Sequence, residues 1–325
     1  MVQGSDTIAT LVQVAQLYYN ENKSQQEIAD QLGVSRSLIA LYLKQAREKN
    51  IVRIEIVDPQ DRREDLALLL KEKTGIKSLH IVPSTANSEL TRRSLGAAVA
   101  RFLESSLKDG HQAGFGWGRT ILDVANLLAP SNPRQVEVVP MLGESSYTGS
   151  YTQMNQIVLQ IARSFSGQPH FLLVPLLVGT KALRDALLAD EVANEVAERW
   201  ERLDVACVGI GALPPVPGQV LYLGEENVRG YQQAGAVGDI CARYFDLNGE
   251  TMDNPLNERL IGISLEQLRN VPTVVAVAGG IEKTKALVGA LRSPSLITDL
   301  FIDEELGQSI LEKIGNQEIK NGVKG

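Results

Sequence analysis

Two glycine-rich segments carry residue types that bind small anions. They are GFGWGRT at residues 114–120 and AGGIEK at residues 278–283, and each links an apolar, strand-like run to an amphipathic helical pattern. Glycines let the backbone approach a ligand closely, and the first turn of a helix presents unpaired N–H groups to an anion. The first segment has neither the GK[ST] ending of a P-loop nor a good dinucleotide fingerprint. The chemistry indicated is therefore recognition of a small anion such as phosphate.

A charged side chain strengthens the indication in each segment. In the first, Arg119 and Thr120 add a charge and a hydroxyl, whereas the alternative is a tight strand–helix connection. In the second, Lys283 stands at a predicted helix start, where a cation opposes the helix dipole. A bound anion would resolve that conflict, so phosphate recognition is favoured over a solvated surface lysine. The candidate residues of the two segments are Gly116, Trp117, Gly118, Arg119, Thr120, Gly279, Gly280 and Lys283.

Two further groups of polar residues could hold hydroxyls, one at a strand start and one after a strand-like run. Asp239, beside a glycine, could accept from a polyol or could cap a turn. A second group surrounds a predicted helix start, and its candidate ligand residues are Gly143, Glu144, Thr152 and Gln153. Ligands of open α/β sheets bind beyond the carboxyl ends of the strands, where all four loops are expected. Together they predict a small phosphorylated polyol as the ligand.

Contact with duplex DNA is indicated by residues 24–47, SQQEIADQLGVSRSLIALYLKQAR. Ser24 and Glu27 have the spacing of a capping box, Gly33 allows a sharp turn, and Ser35 can cap a second helix. Such a helix pair places its second helix in the major groove, although helical hairpins also occur in ordinary cores. The outward face of the second helix favours DNA, because from Ser35 to Arg47 it is basic and holds no acidic residue.

The candidate DNA contacts are Gln25, Gln26, Ser35, Arg36, Ser37, Ala40, Leu41, Lys44 and Arg47. Arg36 and Ser37 stand at the helix start, in reach of base edges or nearby phosphates. Lys44 and Arg47 are placed to contact phosphates. Ala40 and Leu41 could read bases only through apolar contact, for example with a thymine methyl.

The charge balance argues against a nonspecific nucleic-acid coat. The 325 residues include 32 Lys and Arg against 39 Asp and Glu, a formal net charge of -7. The charges of residues 1–57 sum to about zero, so attraction to DNA must come from a local patch of the protein. Binding should therefore depend on the register of that patch on the DNA. The expected partner is therefore double-stranded operator DNA.

Cysteine use and hydropathy narrow the class further. Cys207 and Cys241 lie in apolar runs with no metal-ligand spacing, so we expect buried thiols, no metal and no cofactor. The first residues lack the basic region and cleavage site of a signal peptide, and no apolar run reaches the ~18 residues of a membrane span. We therefore expect a cytoplasmic protein that is not inserted in a membrane.

Three segments follow from the pattern. Residues 1–57 would form the DNA-binding head, with a first helix at 7–21 and a short strand or wing at 51–57. Residues 58–75 would form a linker helix, whose leucines could pair with a second subunit or dock on the chain's own larger domain. Residues 76–325 alternate apolar strands with amphipathic helices, which predicts a mostly parallel sheet covered by helices.

The predicted elements of the larger domain are the following. The strand candidates are SLHIVP, QAGFG, EVVPML, HFLLVPLL, DVACVGIG, TVVAVAG and SLITDLFI. The helix candidates include residues 88–107 and a single long helix over residues 180–203. Short apolar strands flanked by glycine and proline are typical of a sheet buried on both faces.

Four runs together resemble the SorC/DeoR-type sugar-binding transcriptional regulators of bacteria. They are the head at residues 24–56, GFGWGRTILDVANLL, VGDICARYFD and VVAVAGGIEKTKALVGAL, in the family's order. The resemblance implies an α/β chain with a helix-turn-helix, winged-helix-like head and a Rossmann-like effector domain related to sugar-phosphate isomerases and deaminases. It also implies a homotetramer and a phosphorylated sugar effector. By resemblance, Gly116, Gly118, Arg119, Thr120, Gly279, Gly280 and Lys283 face the phosphate, and Asp239 faces sugar hydroxyls.

The chain departs from the family pattern in two places. Ala40 and Leu41 stand where such helices often have polar or basic residues. The operator sequence therefore does not follow from these two residues. The strand ending VPMLG at residues 139–143 has no lysine, so noncovalent binding is expected rather than a Schiff base. The alternative to a sensor is a sugar-phosphate isomerase or deaminase fused to a DNA-binding head. Glu144, Asp239 and Glu282 could supply its carboxylate, but the three histidines form no evident set, so we expect no catalysis.

Overall fold

The computed structural model describes residues 5–52, 63–145, 153–213, 220 and 223–315. Its contacts divide the chain into two compact units, Met1–Asp61 and Arg62–Gly325. The strand or wing predicted at 51–57 lies mostly outside the described residues. Among the described residues, no helix is both long enough and apolar enough to cross a membrane.

The first unit is a three-helix head. Helix α1 spans Ser5–Ala15 and continues as a π-helical turn, Gln16–Asn20, so the predicted first helix exists in two parts. Helices α2, Gln25–Leu32, and α3, Arg36–Glu48, follow. Their core has two buried clusters, one of Val14, Leu17, Ile28, Ala29, Ile39 and Leu43 and one of Leu11, Ala15 and Ala46.

The termini of α2 and α3 are capped as the sequence predicts. The Ser24 hydroxyl accepts from the Glu27 backbone N–H, and the Glu27 carboxylate accepts from the Ser24 N–H, which completes the capping box. Gly33 ends α2 at a φ of 67°, a left-handed conformation that glycine adopts without strain. The Ser35 hydroxyl accepts from the Leu38 N–H at 3.3 Å and starts α3. Local chemistry alone therefore explains both the turn and the two helix starts.

The second unit is built on a parallel sheet. Its parallel strands are β1 Ser78–Val82, β2 Gln112–Phe115, β3 Glu137–Pro140, β4 Gln168–Pro169, β5 Val205–Ala212, β8 Thr273–Ala278 and β9 Asp299–Asp303. Their order is β1-β9-β8-β5-β2-β3-β4, and each neighbouring pair is parallel. A hairpin of β6, Gly238–Ile240, and β7, Arg243–Phe245, pairs antiparallel with the end of β5. Sequence analysis did not predict this hairpin.

Helices surround this sheet. They are α4 Arg63–Thr74, α5 Ser88–Ser106, α6 Arg119–Leu127, α7 Met154–Phe165, α8 Lys181–Leu188, α9 Glu191–Arg199, α10 Glu225–Gln233, α11 Leu265–Asn270, α12 Thr284–Arg292 and α13 Glu304–Ile314. Alternate residues of β5 belong to two apolar clusters, Val205 and Cys207 to one, Ala206 and Val208 to the other. Because successive strand residues point to opposite faces, the sheet is buried on both sides, as predicted.

Two predicted elements need correction, and for a third the structure favours one of two alternatives. The strand predicted at 170–177 is wrong: the pairing there is reduced to isolated bridges, and Pro175 supplies no backbone donor for a ladder. The single helix predicted over 180–203 is broken, because Asp190 caps a new helix, α9, with its carboxylate accepting from the Val192 N–H. The predicted linker helix is α4, which belongs to the second unit. It packs through Leu66 and Leu70 beside Gly307 of α13, so it docks on its own domain.

Candidate functional site

A cavity of about 300 Å³ lies at the carboxyl ends of five parallel strands of the second unit. It is lined by the loops that follow β1, β2 and β8, by the last residues of β5 and β9, by the start of α13, and by the β6–β7 hairpin. This is where ligands bind in open parallel sheets. The volume is at the lower end of the range for ligand pockets, about 300–1,000 Å³, which suits a molecule of monosaccharide size.

The loop after β2 supplies an open helix start. Gly118 has a φ of 126° and a ψ of 162°, a region that side-chain-bearing residues rarely adopt, and α6 begins at the next residue. The Arg119 side chain lines the cavity, and among the described residues it has no hydrogen-bond or ion-pair partner. Both the helix start and the guanidinium are therefore available to an anion.

The loop after β8 brings Lys283 to the same cavity. Its ammonium donates to the backbone carbonyl of Ile210, at the end of β5. Burial lowers the pKa of Lys283. The negative charges of Asp239 and Glu282 oppose that change, and the positive charge of Arg119 reinforces it. Two like charges thus converge on one small cavity, and an anion between them would stabilise both.

Asp239 lies on β6 and is buried. Its carboxylate accepts from the Ala242 N–H at 3.2 Å, across a hairpin turn whose central residues, Cys241 and Ala242, have φ of 51° and 59°. Positive φ at both positions is the geometry of a type I′ turn, here without glycine or asparagine. This turn lines the cavity through the Cys241 side chain. Cys207 and Cys241 are both buried thiols, as predicted, and burial raises the pKa of each.

Sequence reasoning missed one wall of the cavity. This α5 wall follows β1 and begins α5, and its residues are Ser84, Thr85, Ser88, Thr91 and Arg92. The signal was present, because SLHIVP was predicted as a strand and polar residues follow it. The rule that located the other loops would have located this one.

Sequence reasoning also missed Asp303, which joins three parts of the site. This buried carboxylate ends β9 and accepts from the Ser84 hydroxyl at 2.8 Å, the Gly280 N–H at 2.7 Å and the Leu306 N–H at 3.1 Å. It therefore caps α13 and holds the loops after β1 and β8 in place. The Gly280 N–H is occupied by this bond.

Three candidate residues lie away from the cavity, and a fourth falls outside the described residues. The Glu144 carboxylate accepts from the Met154 and Asn155 N–H groups and so caps α7 instead of facing a ligand. Gly143 packs against the backbone of Pro175, which an added Cβ would approach to 2.8 Å. Gln153 is at the N-cap of α7 and does not line the cavity. Thr152 is the residue that is not described.

The candidate DNA-binding residues of the head lie together on α2 and α3. Arg36, Ser37, Ala40, Leu41 and Arg47 are exposed. They stand opposite the buried Ile39, Leu43 and Ala46 of the same helix, so α3 presents one face outward.

Some polar residues of α2 and α3 interact locally. Gln26 donates to Asp30, the Ser35 and Ser37 hydroxyls share a hydrogen bond, and the Lys44 ammonium is 3.7 Å from the Glu48 carboxylate. The Lys44–Glu48 pair partly offsets the positive charge at the end of α3. Among the described residues, the side chains of Arg36 and Arg47 have no acidic partner, so their positive charge remains.

The described residues hold no group of His, Cys, Asp and Glu with metal-ligand geometry. None of the described cavity-lining residues is a histidine. His80 instead stacks on Phe301 at 4.3 Å, and His170 contacts Glu137. The histidine arrangement expected of a proton-transfer site is thus missing from the described part of this cavity.

Comparisons with known proteins agree with this geometry. Residues 58–312 match the family model described as "Putative sugar-binding domain". The chain is 30% identical over 316 residues to the sorbitol operon regulator of Klebsiella pneumoniae, covering 96% of this chain and 100% of that protein. It is 29% identical over 307 residues to the deoxyribonucleoside regulator of Bacillus subtilis (strain 168), covering 93% and 97%. The crystal structure of the full-length sorbitol operon regulator SorC from Klebsiella pneumoniae has a TM-score of 0.78 and 30% identity, covering 95% of this chain and 100% of that chain.

Proposed function

The chain belongs to the sugar-binding family of transcriptional regulators that includes SorC, and from that premise we propose that it controls a carbohydrate-metabolism operon in the cytoplasm. In this proposal residues 1–57 bind double-stranded operator DNA and residues 76–325 bind a small phosphorylated sugar. Residues 58–75 link these two segments of the chain. Effector binding changes operator affinity through its different affinity for the DNA-bound and unbound states.

One observation carries the effector assignment: Arg119 and Lys283 line a single cavity at the start of α6 and just before α12. Two cations beside two helix starts favour a dianion, because helix N-termini carry partial positive charge. Asp239, buried on the same cavity, supplies an acceptor for sugar hydroxyls. A phosphorylated sugar presents both chemistries in one small molecule. Gly116, Trp117, Gly118, Thr120, Gly279 and Gly280 complete the proposed effector contacts.

The outward face of α3 carries the proposed DNA contacts. The N-terminal end of a recognition helix enters the major groove, so Arg36 and Ser37 would meet bases or nearby phosphates. Arg47 and Lys44 would bind phosphates, and Gln25 and Gln26 would touch the backbone. Ala40 and Leu41 are exposed in the middle of the helix, and they would read bases only through apolar contact.

We also propose that this cavity binds without catalysis. Isomerisation or deamination of a sugar phosphate needs a positioned acid and base. Here Asp303 holds two loops together, and Glu144 caps α7 at a distance from the cavity. Turnover of any sugar phosphate by the purified protein would contradict this part of the proposal.

Like many regulators that read paired half-sites, the chain is further proposed to act as a homo-oligomer, a dimer or tetramer. Light scattering on the purified protein tests this. A monomer at the concentration that binds DNA would contradict it.

The decisive experiment measures both activities on two variants. Arg36→Ala should abolish binding to the protein's own upstream DNA and preserve thermal stabilisation by a sugar phosphate. Lys283→Ala should abolish that stabilisation and preserve DNA binding without ligand. At 100 times its Kd a ligand adds about 2.7 kcal/mol of stability, a readily visible shift. If each variant loses both activities, the assignment of two separate functions fails.

A further inference from the structure

A single arginine ties the β6–β7 hairpin to a distant segment of the second unit. Arg243 begins β7, directly after the hairpin turn, and it is buried. Its guanidinium donates to four backbone carbonyls at 2.8 to 3.5 Å, those of Asn257, Leu260, Gly262 and Ile263. All of them belong to residues 257–263, which we call the strap.

The strap is a fixed anchor, because it is hydrogen-bonded on both of its sides. On one side the Ile263 N–H donates to the Met141 carbonyl, just beyond β3, at 2.9 Å. On the other side the Ile261 N–H donates to the Leu176 carbonyl at 2.8 Å. Ile261 and Ile263 are fully buried. Arg243 therefore connects the hairpin to a segment whose position is set by its neighbours.

The positive charge of Arg243 has no acidic counterpart. Among the described residues no carboxylate forms an ion pair with it, and its hydrogen-bond acceptors are neutral carbonyls. Burial of a guanidinium is unfavourable unless its donors are used, and an apolar side chain would fill the same space without that cost. Packing alone therefore does not explain an arginine at this position.

The turn next to Arg243 is strained. Cys241 and Ala242 have φ of 51° and 59°, a left-handed conformation in which a Cβ is unfavourable. Such a conformation persists only where the surrounding structure holds it. On one side of the turn, the Asp239 carboxylate accepts from the Ala242 N–H at 3.2 Å. On the other side, the bonds between Arg243 and the strap fix the residue that follows the turn.

This turn determines where two cavity-lining side chains lie. They are Asp239 and Cys241. The Cys241 Sγ lies beside Gly116 in the loop after β2, where an added Cβ would approach it to 3.3 Å. Because Asp239 is bonded to the turn itself, a turn that relaxed to negative φ would move both side chains relative to the cavity.

We infer that Arg243 is a positioning residue for effector binding: by fixing the strained turn to the strap, it keeps Asp239 and Cys241 in the arrangement that receives the sugar. The inference rests on the proposed function, since it assumes that the effector binds in this cavity and that Asp239 accepts from its hydroxyls. Arg243 does not itself line the cavity, so it acts through the turn and not by contact.

Arg243→Lys tests the inference, because lysine keeps the charge but has no planar fork to span several carbonyls. Calorimetry on the full-length protein would use ribose 5-phosphate, glucose 6-phosphate and fructose 6-phosphate as probes. Affinity for the probe that the wild type binds most tightly should fall about 10-fold or more, because the binding-competent turn becomes a minority conformation. Unchanged affinity in a variant that melts cooperatively would overturn the inference.

Inorganic phosphate separates positioning from a general loosening of the fold. It has no sugar hydroxyls for Asp239 to accept from, so its affinity should stay close to the wild-type value in Arg243→Lys. An equal loss for phosphate and for the sugar phosphate would assign Arg243 a purely structural role. Arg229→Lys is the matched control and should change neither affinity, because Arg229 is exposed, pairs with Glu225 at 2.7 Å and does not line the cavity.

A glycine in the turn tests the mechanism directly. Glycine adopts positive φ without strain, so Ala242→Gly should make the turn independent of Arg243. The double variant Arg243→Lys, Ala242→Gly should therefore recover most of the lost affinity. Gly230→Ala, in a helix that does not line the cavity, should stabilise Arg243→Lys without restoring affinity. Recovery with Gly230→Ala but not with Ala242→Gly would overturn the inference.

The double variant also decides the case in which Arg243→Lys alone does not fold. A double variant that folds and binds supports the inference, because glycine then replaces the contribution of the arginine. A double variant that does not fold overturns it, because the arginine is then needed for the fold itself. If the wild type binds none of the sugar phosphates, the proposed function fails, an outcome distinct from a failure confined to Arg243.

Discussion

The loop after β2 and the loop after β8 face the same cavity but are held in different ways. In the first, Gly118 leads into an open helix start, and Arg119 is exposed. In the second, Asp303 occupies the Gly280 N–H, and the Lys283 ammonium donates to the Ile210 carbonyl. The first loop can therefore offer backbone donors to an anion, whereas the second offers chiefly a fixed charge. Similar glycine-rich loops can thus contribute different chemistry to one site.

Lys283→Met should have the largest effect, because it removes the fixed charge of the second loop. Affinity for the best sugar phosphate should fall about 100-fold, since a charged hydrogen bond contributes about 1.5–3 kcal/mol. The unliganded variant should melt at the same temperature as the wild type or higher, because burial disfavours the ammonium. Calorimetry and thermal melts measure the two quantities.

Lys285→Met is the matched control for that experiment. Lys285 is exposed two residues further along, and it does not line the cavity. If it weakens binding as much as Lys283→Met, the effect is one of overall charge.

Gly118→Ala tests the open helix start. At its φ of 126° an alanine is strained, so the free energy of unfolding should fall by about 1–3 kcal/mol, and sugar-phosphate affinity should fall with it. Gly280→Ala, at a φ of 94°, should also cost stability but change affinity less, because Asp303 already holds the Gly280 N–H. Equal losses of affinity would mean that the two loops are equivalent.

A control for the glycine substitutions is Gly230→Ala. Gly230 lies within α10, its φ is not positive, and the space that an alanine methyl would fill is open. Alanine there should raise the free energy of unfolding by roughly 0.5–1 kcal/mol, because glycine is unfavourable inside helices. Chemical denaturation measures all three variants.

Arg119→Gln should weaken sugar-phosphate binding by about 10-fold, less than Lys283→Met. Arg119 is exposed, so water competes for its charge, whereas the Lys283 ammonium is more shielded. The loss should be larger at low salt, because exposed charges are screened by ions. Calorimetry at two salt concentrations measures it, and an effect that exceeds that of Lys283→Met would reverse the ranking of the two loops.

The smallest expected effect is the change in sugar-phosphate affinity with pH. Burial lowers the pKa of Lys283 in the unliganded protein, and a bound phosphate would raise it. Affinity should therefore be constant below the lowered pKa and fall as pH rises above it, with proton uptake on binding. Calorimetry above neutral pH in buffers of different ionisation enthalpy detects that uptake. Its persistence in Lys283→Met would assign it to another group.

Several parts of the structure follow from local sequence patterns. The capping box at Ser24, the turn at Gly33 and the cap at Ser35 depend on residues within a few positions of each other, and all three are observed. The alternation of strands and helices in the second unit was likewise predicted, because apolar periodicity is a local signal. The β6–β7 hairpin was not predicted, because its turn uses Cys241 and Ala242 where glycine or asparagine is usual.

The candidate site was predicted only in part, for a related reason. Loops after strands can be found from the sequence, but which of them meet depends on the order of strands in the sheet. Glu144 follows β3, beyond β2 in that order, and caps a helix, whereas Ser84 follows β1 and reaches the cavity. The polar residues after SLHIVP mark the loop after β1 as a candidate, but nothing in the residues around Glu144 indicates that its loop stays outside the cavity.

The sequence by itself determined the helix pair of the head, the parallel α/β class of the larger unit and the two glycine-rich loops. Each of these depends on backbone conformation and periodicity over a few residues. Only the tertiary structure decided that Asp303 holds Gly280 and Ser84, that Asp123 neutralises Arg92, and that Lys283 reaches the end of β5. These contacts join residues far apart in the chain, and the charges that a ligand meets depend on them.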